Sequence, residues 1–307
     1  MNIQKSKFYN FLLEKVPINY RHLCNDLDAL FYEEYDFVFT KIDSDTRAQK
    51  LLDYYQIPNA TLNDYKLKKI DFGNFYVLTH IRFKGMQRNA PFVSIEFISE
   101  SHSVFYDNIE AIKHKILEEF SVFDTKLVRL LINPEDIKYL HSYEKDITML
   151  AVIFNDFQHF DFPKLEIEVV KGMNDKEYKQ YCEEYEAFLQ KNEYLRGNVL
   201  PEPLEVLNTK AENGYLFKIL YKNQCAGWIA LDEAQEFFVN GLIVWDKIIY
   251  ESFRGMNLSY AALSKIIRIK NFPKEAFLHG WIDPTNHGSY ISALKSGRKE
   301  ILMGVFL

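Results

Sequence analysis

The chain has 307 residues, of which 48% are hydrophobic and 26% charged, and 37 basic against 43 acidic residues leave a formal net charge of −6. These values exclude disorder as the main state. Because one hydrophobic core rarely grows beyond ~250–300 residues, they favour two domains. The lack of a basic tract argues against nucleic acid, and no stretch approaches the ~18 apolar residues of a membrane span. Three cysteines without a C-x-x-C pair, and eight scattered histidines, favour a cytoplasmic protein without a metal site.

Hydrophobic periodicity predicts a similar order of elements in both halves of the chain. Helical spacing opens the chain over residues 3–15, 19–33 and 43–56. The first half continues with strands at 65–71, 74–83, 91–99, 127–132 and 147–154 and helices at 108–120 and 135–143. The second half predicts strands at 164–170, 214–221, 225–232, 238–249, 275–282 and 300–306, with helices at 174–191, 256–270 and 286–296.

The halves indicate an internal duplication. A shift of 150 residues aligns 65–145 with 215–295 without a gap, and Glu96 then stands opposite Asp246. The evidence is the matching order of strands, helices and turns, since the identity is close to chance. With a linker near Phe160–Pro163, we expect domains of residues 1–163 and 164–307.

The most informative segment is the strand–loop–helix predicted over residues 241–270. Free backbone N–H groups at a helix start, together with the positive end of the helix dipole, form an anion site. Arg254 adds a cation that can bind phosphate through two hydrogen bonds, and Gly255 leaves room for a ligand close to the backbone. The segment therefore predicts a phosphate-binding loop.

This loop resembles the pyrophosphate loop of the GNAT superfamily of acyl-CoA N-acyltransferases, which reads Gln/Arg-x-x-Gly-x-Gly/Ala. The matching segment is Phe253-Arg254-Gly255-Met256-Asn257-Leu258-Ser259. Arg254 stands at the basic position, Asn257 replaces the first glycine and Ser259 the final small residue. The resemblance covers about residues 165–307.

A second similarity lies downstream. Asn286-x-x-Ser289, with Gly297 eight residues later, resembles the branch that includes ribosomal-protein N-acetyltransferases. In that branch the asparagine contacts the pantetheine arm, and the serine lies beside the CoA sulfur, where it can protonate the thiolate. Arg298 departs from the pattern, because the family has an apolar aromatic residue there.

The resemblance implies an α/β fold of two tandem GNAT-like domains, each with a mixed, mostly antiparallel, splayed sheet and helices on both faces. It implies transfer of an acetyl, or other acyl, group from acetyl-CoA to a primary amine by direct attack. The expected partners are acetyl-CoA and an amine-bearing acceptor, without nucleic acid or membrane, and the expected state is a monomer or homodimer.

The resemblance also implies roles for individual residues. Asp246 would take the amine proton, with Glu251 and Asp283 as alternatives, and Ser289 would protonate the thiolate, with Tyr290 and His287 as alternatives. The expected cofactor site comprises Ile248, Ile249, Tyr250, Phe253, Arg254, Gly255, Met256, Asn257, Leu258, Ser259, Asn286 and Ser289. Purely structural interpretations stay open, namely an ion pair of Asp246 with Lys247 and helix capping by Asn286 and Ser289.

The first half departs from the family pattern. Ser103-Val-Phe-Tyr-Asp107 stands opposite Phe253–Asn257, so the arginine and glycine are missing and Asp107 adds negative charge. We therefore expect residues 1–163 to be a degenerate domain that does not bind CoA. Two alternatives stay open for the whole chain: a catalytically silent module that binds CoA or another ligand, and an aminoacyl-tRNA-dependent transferase, which the missing basic surface disfavours.

Overall fold

The computed structural model describes residues 3–196, 198–270 and 272–307. The chain forms two compact units, one that runs to Thr148 and also contains Ile301–Leu307, and one of Met149–Glu300. The expected border at 163/164 differs from this division at both ends. Strand pairing explains the later end, because residues 303–306 pair with residues 129–132 of the first unit. At the earlier end, residues 149–153 already belong to the second unit.

The first unit places three helices before its sheet. Its helices are α1 (Ile3–Lys15), α2 (Leu27–Asp36), α3 (Asp45–Tyr55), α4 (His102–Asp107) and α5 (Ile109–Glu119), and its strands are β1 (Lys68–Asp71), β2 (Tyr76–Phe83), β3 (Pro91–Ile98), β4 (Val128–Ile132) and the first part of β5 (Glu144–Ile153). The predicted helix 19–33 is wrong in extent. A 3₁₀ turn ends at Leu23, and α2 starts afresh because Asp26 accepts the Ala29 N–H at 3.0 Å.

The second unit carries the sheet that builds the site. Its strands are β6 (Leu165–Val169), β7 (Leu216–Tyr221), β8 (Gln224–Glu236), β9 (Val239–Ile249) and β10 (Phe277–Ile282), and its helices are α6 (Asp175–Lys191), α7 (Leu204–Glu212), α8 (Leu258–Lys270) and α9 (His287–Lys295). The last strand, β11 (Lys299–Phe306), begins in this unit and continues in the first. Helix α7 was not predicted.

The predicted α/β fold class is confirmed. In the first unit β1, β2 and β3 are antiparallel neighbours, β3 and β4 are parallel, and β11 is antiparallel to β4. In the second unit β6 to β9 are antiparallel neighbours, and β9 and β10 are parallel. Each mostly antiparallel sheet therefore has one parallel junction at the same place in the order of elements.

Strand alternation divides the core of the second unit between two faces. Trp228 and Ala230 of β8 pack with α6 and α7, whereas Ile229 and Leu231 pack with α8. Helices therefore cover both faces of this sheet, as expected for the fold class. None of the helices within the described ranges is long and apolar enough to cross a membrane.

A β-bulge interrupts the same hairpin in both units. The register between β2 and β3 shifts at Leu78/Thr79, which leaves Glu96 as the extra residue. The register between β8 and β9 shifts at Ala230/Leu231 and leaves Trp245 as the extra residue. The 150-residue shift places Glu96 opposite Asp246, one residue from the bulge at Trp245. The matching bulges are consistent with the duplication.

Candidate functional site

The site begins where β9 and β10 separate. The two strands pair only over Gly241–Ile243 and Phe277–His279. Gly241 permits this close junction, since a Cβ atom there would lie 2.1 Å from the carbonyl oxygen of Phe277. Beyond the junction, the second half of β9 pairs with β8 along one edge and leaves its other edge open.

A cavity of ≈ 310 Å³ lies against this open edge. Its walls come from β9, from the loop before α8, from α9 and from α6. Ten of the expected cofactor residues line it: Ile248, Ile249, Phe253, Arg254, Gly255, Asn257, Leu258, Ser259, Asn286 and Ser289. The fold thus brings the loop before α8 together with the first turn of α9.

The loop before α8 presents unpaired donors. Gly255 and Asn257 adopt positive φ angles of 78° and 59°, and Asn tolerates this left-handed conformation better than most residues. The first helical bond runs from the Ala261 N–H to the Asn257 carbonyl at 3.1 Å. For the backbone N–H groups of residues 255–260, the described chain supplies no acceptor. Six consecutive donors at a helix start form an anion site.

Three cationic residues line the cavity, and none of the described residues that line it carries a carboxylate. The Arg254 Nε–H donates to the Ile249 carbonyl at 2.9 Å, and its guanidinium lies 5.0 Å from the ring centre of Phe188. The Lys295 Nζ donates to the Asn257 Oδ1 at 2.8 Å. Lys247 is the third cation. The cavity is therefore electropositive in a chain of net charge −6.

Asn286 and Ser289 meet the cavity at the start of α9. The Asn286 Oδ1 accepts the Ser289 N–H at 3.3 Å, so Asn286 caps the helix. Both side chains also line the cavity. The capping and ligand-binding interpretations are therefore compatible for Asn286.

Asp246 lies outside the cavity wall, on the α6 side of β9. The bulge at Trp245 causes this placement because it reverses the alternation: Val244 packs toward α8, whereas Ile248 packs toward α6. The Asp246 carboxylate accepts the Tyr181 hydroxyl at 2.8 Å and also the Tyr185 hydroxyl.

Burial raises the pKa of Asp246 to about 6, although the two tyrosine hydroxyls lower it. Tyr185 also lines the cavity, so this residue connects the cavity with the carboxylate. Because a carboxylate with this pKa is ionised at pH 7 but still basic, it is suited to general base work.

Three expected site residues lie elsewhere. Tyr250 is buried on the α6 face, where its hydroxyl accepts the Trp228 Nε1–H at 2.9 Å. Met256 packs against the core beneath α8. The Tyr290 hydroxyl donates to the Glu300 Oε1 at 2.6 Å and does not line the cavity. The side chains of these three residues therefore do not line the cavity, although the backbone N–H of Met256 belongs to the anion site.

The alternative acid–base residues are also away from the cavity wall. Glu251 forms an ion pair with Lys191. Asp283 accepts the Thr285 N–H at 2.9 Å, which fixes it in the turn before α9. His287 is exposed at the start of α9. Asp246 is therefore the best placed of the carboxylates considered.

Sequence reasoning missed eight residues of the wall. They are Tyr185, Phe188, Val199, Lys247, Gly288, Ile291, Ser292 and Lys295. Two signals were available in helical spacing: Tyr181, Tyr185 and Phe188 recur on one face of α6, and Ser289, Ser292 and Lys295 recur every three residues on α9.

Within the described ranges, no group of three or more His, Cys, Asp or Glu residues is placed to hold a metal ion. Comparison with protein-family models gave no match, and comparison with curated proteins gave none either.

Many of the solved structures that the chain resembles are GNAT-family acetyltransferases. One from Colwellia psychrerythraea is 11% identical, with a TM-score of 0.45 over 86% of this chain and 97% of that one. One from Sphaerobacter thermophilus is 12% identical, with a TM-score of 0.46 over 89% and 93%. A tandem GNAT protein from the clavulanic acid biosynthesis pathway is 10% identical, with a TM-score of 0.42 over 86% and 95%.

Proposed function

We propose that the second unit binds acyl-CoA, in the simplest case acetyl-CoA, and transfers the acyl group to a primary amine by direct attack. The observation that carries this proposal is the anion site: six consecutive unpaired N–H groups, flanked by Arg254 and Lys295, in a cavity without carboxylates. A pyrophosphate group supplies the acceptors and the negative charge that this site lacks.

The open edge of β9 supports binding of a pantetheine arm. The Tyr250 N–H donates to the Ala226 carbonyl, so the backbone groups of Tyr250 point toward β8. Because backbone groups alternate along a strand, the N–H and C=O groups of Ile249 and Lys247 point toward the open edge at the cavity. The Ile249 carbonyl already accepts a hydrogen bond from the Arg254 Nε–H. The remaining N–H groups along this edge can pair with the amide carbonyls of pantetheine or with the thioester oxygen, where a donor stabilises the tetrahedral oxyanion.

Asp246 and Tyr185 provide a route for the amine proton. The Tyr185 oxygen takes the proton from the attacking amine while its own proton passes to the Asp246 carboxylate. Once the amine nitrogen has bonded to the thioester carbon, the C–S bond breaks. The Ser289 hydroxyl, a cavity-lining group, is placed to protonate the leaving thiolate, and the serine oxygen regains a proton from solvent. No covalent enzyme intermediate is needed in this sequence.

The first unit has a supporting role in this proposal. Asp107 ends the short helix α4, and the 150-residue shift aligns it with Asn257 of the phosphate loop. A carboxylate there repels phosphate, so we assign no CoA site to the first unit.

Calorimetric and thermal-shift titration with acetyl-CoA tests the proposal. At about 100-fold excess over the dissociation constant, binding should stabilise the protein by ~2.7 kcal/mol. Arg254→Glu should abolish this effect because it replaces a cation by an anion beside the pyrophosphate. Arg268→Glu is the matched control, since Arg268 lies on α8 outside the cavity and pairs with Asp161.

The titration is followed by an assay of thiol release with a panel of primary amines. Binding together with amine-dependent release of CoA supports the transferase. Binding without release from any amine would favour the catalytically silent module, and absence of stabilisation would overturn both.

A further inference from the structure

Lys247 brings an amine of the protein itself to the cavity. It lies on β9, two residues before Ile249, and it belongs to the cavity wall. Ile248 packs toward α6, so strand alternation directs the Lys247 side chain to the opposite face, as for Ile249, which packs with α8. Lysine carries a primary amine, which is the group that accepts the acyl chain in the proposed reaction.

The Lys247 amine makes no direct polar contact with the described residues. None of them gives its side chain a hydrogen bond or an ion pair, and none of those in the cavity wall carries a carboxylate. Burial, with a smaller contribution from Arg298, lowers the pKa of Lys247 to about 7, although the Asp246 carboxylate acts in the opposite direction. About half of the amine is therefore neutral at pH 7, against about one in 2,500 for an amine with the usual lysine pKa.

A second lysine of the cavity lies at the phosphate loop. Lys295 donates from its Nζ to the Asn257 Oδ1 at 2.8 Å. Lys247 lies three residues before Tyr250, and therefore about 10 Å along the strand from the start of that loop. A pantetheine arm that pairs with the open edge of β9 runs from the loop back toward Lys247. The thioester at the end of this arm then comes to Lys247 rather than to Lys295.

We propose that Lys247 is an acyl acceptor: when acetyl-CoA occupies the cavity and no amine substrate is present, the protein acylates itself at this residue. The inference rests on the proposed function, since it needs the thioester in the cavity. The Lys247 nitrogen attacks the thioester carbon, an amide bond forms, and the C–S bond breaks. The nitrogen loses a proton to solvent, and the thiolate gains one from the Ser289 hydroxyl. The amide removes the charge of Lys247 and fills the thioester end of the cavity, so each chain reacts once.

Mass spectrometry of the intact chain and of its peptides tests this inference. The protein is incubated with acetyl-CoA at pH 7 without an amine, and acetylation is followed at every lysine. We expect one acetyl group per chain. Lys247 should react about 10²-fold faster than Lys295 or the exposed Lys299, because its amine is largely neutral and lies beside the thioester.

Variants show whether the reaction depends on the bound thioester. Lys247→Arg should remove the modification, and Lys299→Arg, outside the cavity wall, should leave it unchanged. Arg254→Glu should slow acetylation of Lys247 to the rate of Lys299, because it weakens binding at the phosphate loop.

The outcomes separate this inference from the proposed function. Stabilisation by acetyl-CoA without faster reaction at Lys247 would overturn the inference and leave the transferase intact. Undiminished acetylation of Lys247 in Arg254→Glu would overturn it as well, since the reaction would then need no thioester bound at the loop. If acetyl-CoA does not stabilise the protein, the proposed function fails and the inference fails with it.

Discussion

Replacing Asp246 with Asn should make the second unit more stable, relative to the unmodified protein, as the pH rises. Burial raises the pKa of this carboxyl from 3.8 to about 6. A carboxyl group that binds its proton more tightly in the folded state favours folding when protonated. It loses that contribution as the pH rises from 3.8 through about 6. A shift of about two units corresponds to ~3 kcal/mol, and Asn has no proton to lose.

Urea unfolding followed by tryptophan fluorescence measures this effect in the unit concerned, because Trp228, Trp245 and Trp281 all lie in the second unit. Between pH 4.5 and 7.5 the free energy of unfolding of Asp246→Asn, relative to the unmodified protein, should rise by ~2 kcal/mol. Asp246→Asn also weakens the hydrogen bonds from Tyr181 and Tyr185. This changes the free energy of unfolding by a constant amount that does not depend on pH.

A second variant checks the cause. Tyr185→Phe removes one of the hydroxyls that lower the pKa of Asp246, so the loss of stability should continue to higher pH. A free-energy difference that is constant across the range, or that falls as the pH rises, would refute the assignment of a raised pKa to Asp246.

Three further predictions concern the backbone, the catalytic step and the silent half. Gly255→Ala should cost about 1 kcal/mol in urea unfolding, from the positive φ alone, since its Cβ would meet no atom within 4 Å. Gly241→Ala should cost about 3 kcal/mol or more, because its Cβ would collide with the Phe277 carbonyl; equal costs would contradict this. Ser289→Ala should lower turnover about 10²-fold and change the acetyl-CoA dissociation constant less than about twofold, and the reverse pattern would assign Ser289 to binding. Asp107→Arg should leave calorimetric acetyl-CoA affinity unchanged, and any clear change would mean that the first unit contributes to the site.

The sequence alone predicts most helices and strands. It also predicts that the loop at Arg254 and the Asn286-x-x-Ser289 segment lie side by side. The apolar alternation of β9 and the loop at Arg254 identify a strand–loop–helix, and the Asn286-x-x-Ser289 pattern identifies the helix that lies beside it. The structure places both against one cavity. These features could be predicted because local periodicity and glycine positions determine them.

Features that depend on a single inserted residue could not be predicted in this way. A tryptophan on a predicted strand is expected to pack in the core, yet Trp245 is 45% exposed because it is the bulge residue. The same bulge turns Asp246 toward Tyr181 and Tyr185. Alternation alone would have placed Asp246 on the same face as Val244, so the hydrogen bonds of the carboxylate follow from a register shift that the sequence pattern does not mark.

Pairing between distant strands was equally beyond local patterns. The pattern of residues 300–306 predicts a strand but not its partner, and the simplest border assigned it to the second half. Its apolar residues are buried in the first unit instead, and Val305 pairs with Leu130.

That pairing has a consequence for how the protein is made. Ile132 pairs with Met303, so β4 lacks this neighbour until the ribosome has synthesised the whole second unit. An exposed strand edge is prone to wrong pairing, and closing so long a loop is slow. Domains usually fold in the order in which they are translated. Here the second unit can be complete up to Glu300 before the first unit receives its final strand, so the half that is translated first finishes folding last.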